Sequence, residues 1–139
     1  MMRVYISGGM TGWPDNNQEA FDKAAAALRA NGYVVASPAE FDRELGVDLK
    51  SEDGFSSTDE EYEEFLERDL NMISRENFDA VVFIKGWMTS GGAGREGRKA
   101  ISEGLQLYTW SPEDLLEPLT EREFFACSRT KRLRPEEIV

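Results

Sequence analysis

The sequence predicts a three-layer α/β sandwich, with helices on both faces of a four- to five-stranded parallel sheet. Three observations predict it. Short apolar runs alternate with segments of helical period, the pattern of βαβ units joined by right-handed crossovers. Ala80–Lys85 (AVVFIK) is apolar almost throughout, as a strand covered on both faces must be. The chain has 139 residues, 40% of them hydrophobic, enough to bury one core and too few for two.

The elements follow in order. Arg3–Ser7 reads as the first strand, broken by Gly8, Gly9 and Gly12. Asn17–Asn31 reads as a helix: Phe21, Ala24, Ala25 and Leu28 share one face, Asn16 or Asp15 is placed to cap it, and Gly32 to stop it. Tyr33–Ser37 is a second strand ended by Pro38. Phe41–Ser57 has no clear period and reads as a polar loop or flap. Thr58–Arg75 is a second helix opened by a Thr58/Glu61 capping box. After the Ala80–Lys85 strand come a Gly86–Gly92 loop, a helix over Ala93–Glu103 stopped by Gly104, and a strand over Leu105–Thr109. Beyond Pro112 the pattern predicts only short helical pieces and a basic tail from Arg129 to Arg134. The expected organisation is one domain over residues 1–139, with a core over about 3–108 and a C-terminal extension over about 109–139.

Composition narrows the chemistry. There is no histidine, which excludes Ser-His-Asp and Cys-His catalysis and any His-ligated metal. Carboxylates, hydroxyls and backbone amides must then carry any reaction, with no metal and no cofactor expected. The net charge of −11 argues against nucleic acid as a partner. No apolar run reaches the roughly 18 residues that span a bilayer, so no membrane association is expected. The opening residues lead straight into glycines and Pro14 and predict no signal peptide. The single Cys127 cannot form an internal disulfide, and a reducing cytoplasm is the expected compartment.

Two carboxylates fall on faces that should be apolar. Asp69 shares a stripe with Tyr62, Phe65, Leu66 and Ile73. Glu96 shares one with Ala93, Gly97, Ala100, Ile101 and Gly104. A carboxylate on such a stripe is costly unless paired or hydrogen-bonded. Each is either a boundary or capping residue or, with its counterpart, part of a site. In parallel sheets ligands sit beyond the carboxyl ends of the strands, where the Gly8, Pro38 and Gly86–Gly92 loops converge. Glu96 is expected in the first turn of its helix, where the positive helix end favours its ionised form, and the preceding Ser90-Gly91-Gly92-Ala93-Gly94 can present free amides to an anion. Gly8-Gly9-Met10-Thr11-Gly12 is a second glycine-rich loop and matches neither a Walker loop nor a dinucleotide fingerprint. Trp13 and Trp87 flank these loops, positions that suit either covering a base or packing in a core or subunit contact.

These residues resemble the nucleoside 2-deoxyribosyltransferase superfamily, and within it the small 2'-deoxynucleoside 5'-phosphate N-hydrolases and their bacterial and phage relatives. The matching stretches are VYISGGMTG at Val4–Gly12, RDLNMI at Arg68–Ile73 and GWMTSGGAGREGRKAISEGL at Gly86–Leu105. The resemblance implies a flavodoxin-like (Rossmann-like) sandwich and cleavage of an N-glycosidic bond. It implies Glu96 as the nucleophile on the anomeric carbon, Asp69 as the acid assisting the leaving base, and Tyr5 as the neighbour that favours substrates lacking a 2'-hydroxyl. Ser7, Gly8, Gly9, Met10, Thr11, Gly12, Ser90, Gly92 and Gly94 are the implied substrate-binding positions. Ser90 stands where the monophosphate hydrolases carry a phosphate-binding serine and the transferases an aspartate, and Thr11 stands where the hydrolases carry an arginine. The implied partners are a small-molecule nucleotide or nucleoside and further copies of the chain, as a homodimer or larger. Base exchange between deoxynucleosides and non-catalytic nucleotide sensing are the alternative readings.

Overall fold

The computed structural model describes residues 2–9, 17–44 and 67–127. The expected Thr58/Glu61 capping box, the positions Tyr62, Phe65 and Leu66, the basic tail, and Met10, Thr11, Gly12 and Trp13 lie outside them.

Strand β1 (Arg3–Ser7) forms where expected. Helix α1 (Gln18–Ala30) buries Phe21, Ala24, Ala25 and Leu28, the face its period assigned. Its cap differs from the expected Asn16 or Asp15. Asn17 holds that position at φ 61, in the left-handed region that asparagine tolerates, and its side-chain amide donates to Gly9 O at 3.1 Å. The cap residue thus ties α1 to the loop leaving β1. Strand β2 (Val34–Ala36) runs straight into α2 (Pro38–Glu44). The start of the expected Phe41–Ser57 loop is therefore helical, because proline suits the first position of a helix, where its missing N–H is not needed. Arg29 of α1 clamps Glu40 of α2 through both carboxylate oxygens, at 2.6 and 2.7 Å.

Residues 67–72 form the described part of α3. The helix ends before the expected Arg75, because Asn77 turns back to donate to Met72 O at 3.0 Å and Ser74 O accepts the N–H groups of Asn77 and Phe78. Strand β3 (Ala80–Phe83) is buried throughout. The following segment is not all loop. It makes one 3₁₀ turn at Trp87–Thr89, and α4 (Gly91–Ser102) starts two residues earlier than expected. Ser90 explains the early start, since its hydroxyl accepts from Ala93 N at 3.1 Å. Gly32 and Gly104, the expected helix stops, take φ 90 and 78.

Strand β4 (Gln106–Ser111) completes the parallel part of the sheet. The region beyond Pro112 departs from expectation. It forms a fifth strand, β5 (Leu115–Pro118), antiparallel to β4, and then α5 (Glu121–Cys127). The tight Ser111–Leu115 turn permits only an antiparallel return. Helix α5 opens on a reciprocal capping box: Thr120 N donates to Glu123 Oε1 at 3.0 Å and Glu123 N to Thr120 Oγ1 at 3.1 Å.

The sheet order is β2-β1-β3-β4-β5, with β2, β1, β3 and β4 mutually parallel. This is a flavodoxin-like three-layer α/β fold, with an antiparallel edge. On one face Val4, Ile6, Val82 and Ile84 pack against Phe21, Ala24, Ala25 and Leu28 of α1. On the other, Tyr5, Val81, Phe83 and Leu107 pack against Ile73, Trp87, Ala93, Ala100 and Phe124. Alternation along β1 therefore sends Tyr5 and Ser7 toward α4. No helix among the described residues is long and apolar enough to cross a membrane.

Candidate active site

At the carboxyl end of β1, the two residues facing α4 are both hydroxyl-bearing. Tyr5 and Ser7 are fully buried, and Glu96 of α4 is 4% exposed. Tyr5 Oη donates to Glu96 Oε2 at 2.7 Å, and Ser7 Oγ donates to Oε1 at 2.7 Å. Each oxygen of one buried carboxylate is thus held by a separate hydroxyl. Both distances are ordinary for O–H···O hydrogen bonds.

Asp69 of α3 lies beside this group, 8% exposed. Its Oδ1 accepts from Arg68 Nε at 2.9 Å, with Arg68 Nη2 at 2.7 Å. The Arg68 guanidinium sits 5.9 Å from the centroid of the Phe41 ring, so α2 also borders the site.

The electrostatics follow from burial. Desolvation, then the Asp69 charge, pushes the Glu96 carboxyl from its usual 4.5 up to about 8, while the Ser7 and Tyr5 hydrogen bonds and the Arg68 charge pull the other way. Burial and the neighbouring carboxylates push the Tyr5 phenol well above its ordinary value, so it remains a donor. This corrects the expectation of an ionised resting Glu96. With α4 starting at Gly91, Glu96 lies in the second helical turn, and the helix end acts on it less than first-turn placement would allow. Two carboxyl groups so placed titrate as a pair, and burial favours the protonated form of Glu96.

Several expected site positions have other work. Ser7, expected at the substrate, spends its hydroxyl on Glu96. A Cβ on Gly8 would stand 2.5 Å from Cγ1 of Ile84, so close packing already requires that glycine. Gly9 is held by Asn17. Trp87 is a core residue, 6% exposed and stacked on Phe124 at 5.7 Å, with Phe83 at 4.7 Å. Ser90 caps α4 through its lone pair, which leaves its O–H to donate elsewhere. Gly92 and Gly94 lie in the first turn of α4, beside that cap.

Sequence reasoning missed Arg68, Phe41 and Phe124. Arg68 carried a signal, as a cation adjacent to a carboxylate on an apolar stripe. Phe41 fell in a segment read as loop. Among the described residues no three His, Cys, Asp or Glu side chains converge as a metal would require.

Residues 2–109 match the family described as a domain of unknown function, DUF4406, and the chain belongs to that family. No curated protein matches it.

Proposed function

We propose that this member of the DUF4406 family cleaves the N-glycosidic bond of a 2'-deoxynucleoside 5'-monophosphate. The observation that carries the reading is the buried Glu96 carboxyl, gripped by Tyr5 and Ser7 and paired with Asp69 at the carboxyl end of the sheet. Core glutamates are costly, and one held by two hydroxyls beside a second carboxylate is arranged for proton and nucleophile chemistry.

The mechanism is double displacement. A Glu96 oxygen attacks C1' while the C1'–N bond breaks and its electron pair goes to the base. Asp69 gives the base a proton. Water then attacks C1', the Glu96–C1' bond breaks, and the water proton returns to Asp69. The pair needs one proton in total, on Asp69 at the moment of attack. At rest burial favours that proton on Glu96, so it passes to Asp69 as substrate binds and leaves Glu96 ionised for attack. Tyr5 and Ser7 stabilise the carboxylate as it ionises. The Ser90 hydroxyl and the Gly91 and Gly92 amides receive the 5'-phosphate, since the Ala93 and Gly94 amides are spent on Ser90, and a reducing cytoplasm is the compartment this reading expects.

A screen of deoxyribo- and ribonucleoside 5'-monophosphates for released base tests the proposal. Deoxynucleotides should turn over roughly 100-fold faster, the scale on which a site rejects a poorly accommodated hydroxyl. Base release only when an acceptor base is present would assign transfer instead. Binding of nucleotides with no release of base would assign sensing.

A further inference from the structure

Strand β5 and helix α5 lie beyond the residues matched by the family, yet α5 reaches the residue next to the candidate nucleophile. Phe124 of α5 is fully buried. Its ring meets Phe83 of β3 at 5.6 Å and Trp87 at 5.7 Å, nearly parallel to the indole at 10°. It also lies directly over Gly97, the residue after Glu96. A Cβ built on Gly97 would collide with Cε1 and Cζ of Phe124 and stand 3.0 Å from Cζ of Phe83.

We propose that Phe124 is a positioning residue: a wedge from the C-terminal extension that fixes the Glu96 segment of α4 against Tyr5 and Ser7. The contacts give the reason. Phe124 touches two of the pieces of chain that lead to site residues, the Trp87 turn before Ser90 and the α4 turn bearing Glu96. Gly97 supplies no side chain of its own to fill that space, so the wedge must come from elsewhere in the chain. The Thr120/Glu123 capping box and the Leu119 N to Leu107 O bond at 2.9 Å anchor α5 beside the sheet, so the wedge has a fixed base. Two 2.7 Å hydrogen bonds to Glu96 leave little tolerance for a shifted helix.

This inference rests on the proposed N-glycosidase reading for its kinetic arm only. Phe124→Ala and Phe124→Leu are made in the full chain and studied well below their measured melting temperatures. Base release is assayed with the four deoxynucleoside 5'-monophosphates. In parallel, the Glu96 side-chain carbonyl carbon is titrated by NMR in protein labelled with ¹³C-glutamate, assigned by its loss in Glu96→Gln. Phe124→Ala should lower kcat roughly 10- to 100-fold with KM nearly unchanged, the penalty expected for displacing a catalytic group by a fraction of an ångström to about one. Its Glu96 titration should move down toward the ordinary carboxyl range, because a loosened site admits water. Phe124→Leu, which refills most of the space and guards against an unfolded alanine variant, should recover much of both. Folded variants with wild-type kcat and an unmoved Glu96 titration would overturn the wedge. If the wild type cleaves nothing, the N-glycosidase reading fails, and the titration alone decides the role of Phe124.

Discussion

The two faces of the sheet differ sharply in what they bury. Toward α1, β1 presents Val4 and Ile6, which pack into an apolar cluster with Phe21, Ala24, Ala25 and Leu28. Toward α4 the same strand presents Tyr5 and Ser7, which meet a carboxylate, with a second carboxylate and a guanidinium beside it. One strand of five residues thus serves both as core and as site, through nothing more than the alternation of its side chains. The α1 face holds the fold together. The α4 face accepts a buried charge problem that packing alone would never select, and such a cost is retained where chemistry needs it.

The largest expected effect comes from removing the charge problem. Glu96→Gln keeps the shape and deletes the proposed nucleophile, so base release should fall by several orders of magnitude while nucleotide binding by calorimetry persists. The same change should stabilise the fold, increasingly so as pH rises. Glu96 titrates higher folded than unfolded, so the stability linked to its protonated form is complete below pH 4.5 and is lost as pH climbs through about 8. Denaturant melts of wild type and variant at acidic and alkaline pH should diverge only toward the alkaline end. Equal divergence at both ends would mean that Glu96 is not buried as a proton holder.

Neighbours of Glu96 should shift its titration in opposite directions. Asp69→Asn removes a negative charge and should lower it, whereas Ser7→Ala removes a stabilising hydrogen bond and should raise it. Carboxyl NMR reads both, and shifts of the same sign would undo the proposed balance of forces.

Ser90→Asp separates the observed cap from the proposed phosphate contact. Aspartate caps helices as well as serine, so melting should change little, but it repels a phosphate. The preference for monophosphate over nucleoside should drop about 10-fold or more, the worth of a hydrogen bond to a charged group. A kept preference would remove Ser90 from phosphate binding.

The smallest effect belongs to the other face. Ile6→Val, between Tyr5 and Ser7 but pointing toward α1, should cost about 1 kcal/mol of stability in denaturant melts and leave kcat unchanged. A loss of rate comparable with that of Ser7→Ala would show that the two faces are not separable.

Much of this contrast was legible in the sequence. The α1 stripe was readable because Phe21, Ala24, Ala25 and Leu28 repeat on a single face, and all four are buried. Asp69 and Glu96 were readable as violations of such stripes, and both proved buried. What stayed hidden depends on contacts distant in sequence. No local pattern shows that Ser7 would bond a residue 89 positions away, or that desolvation would outweigh the helix end at Glu96. Strand β5 was missed because its short LLEP segment, following a proline and acidic residues, carries no period of its own; pairing with β4 creates it. The α5 capping box was visible as Thr120-Glu121-Arg122-Glu123, but the burial of Phe124 arises from contacts distant in sequence, with Phe83, Trp87 and the glycine it covers on α4.

The most direct test of a covalent Glu96 is the stereochemistry of its product. Wild-type protein is supplied with a deoxynucleoside 5'-monophosphate in buffer containing methanol, and the methyl deoxyriboside 5-phosphate formed early is identified by proton NMR. Two successive displacements at C1' predict the β-anomer, the configuration of the starting nucleotide. The α-anomer would mean direct attack by solvent and would contradict a glutamate nucleophile, as would the absence of any released base.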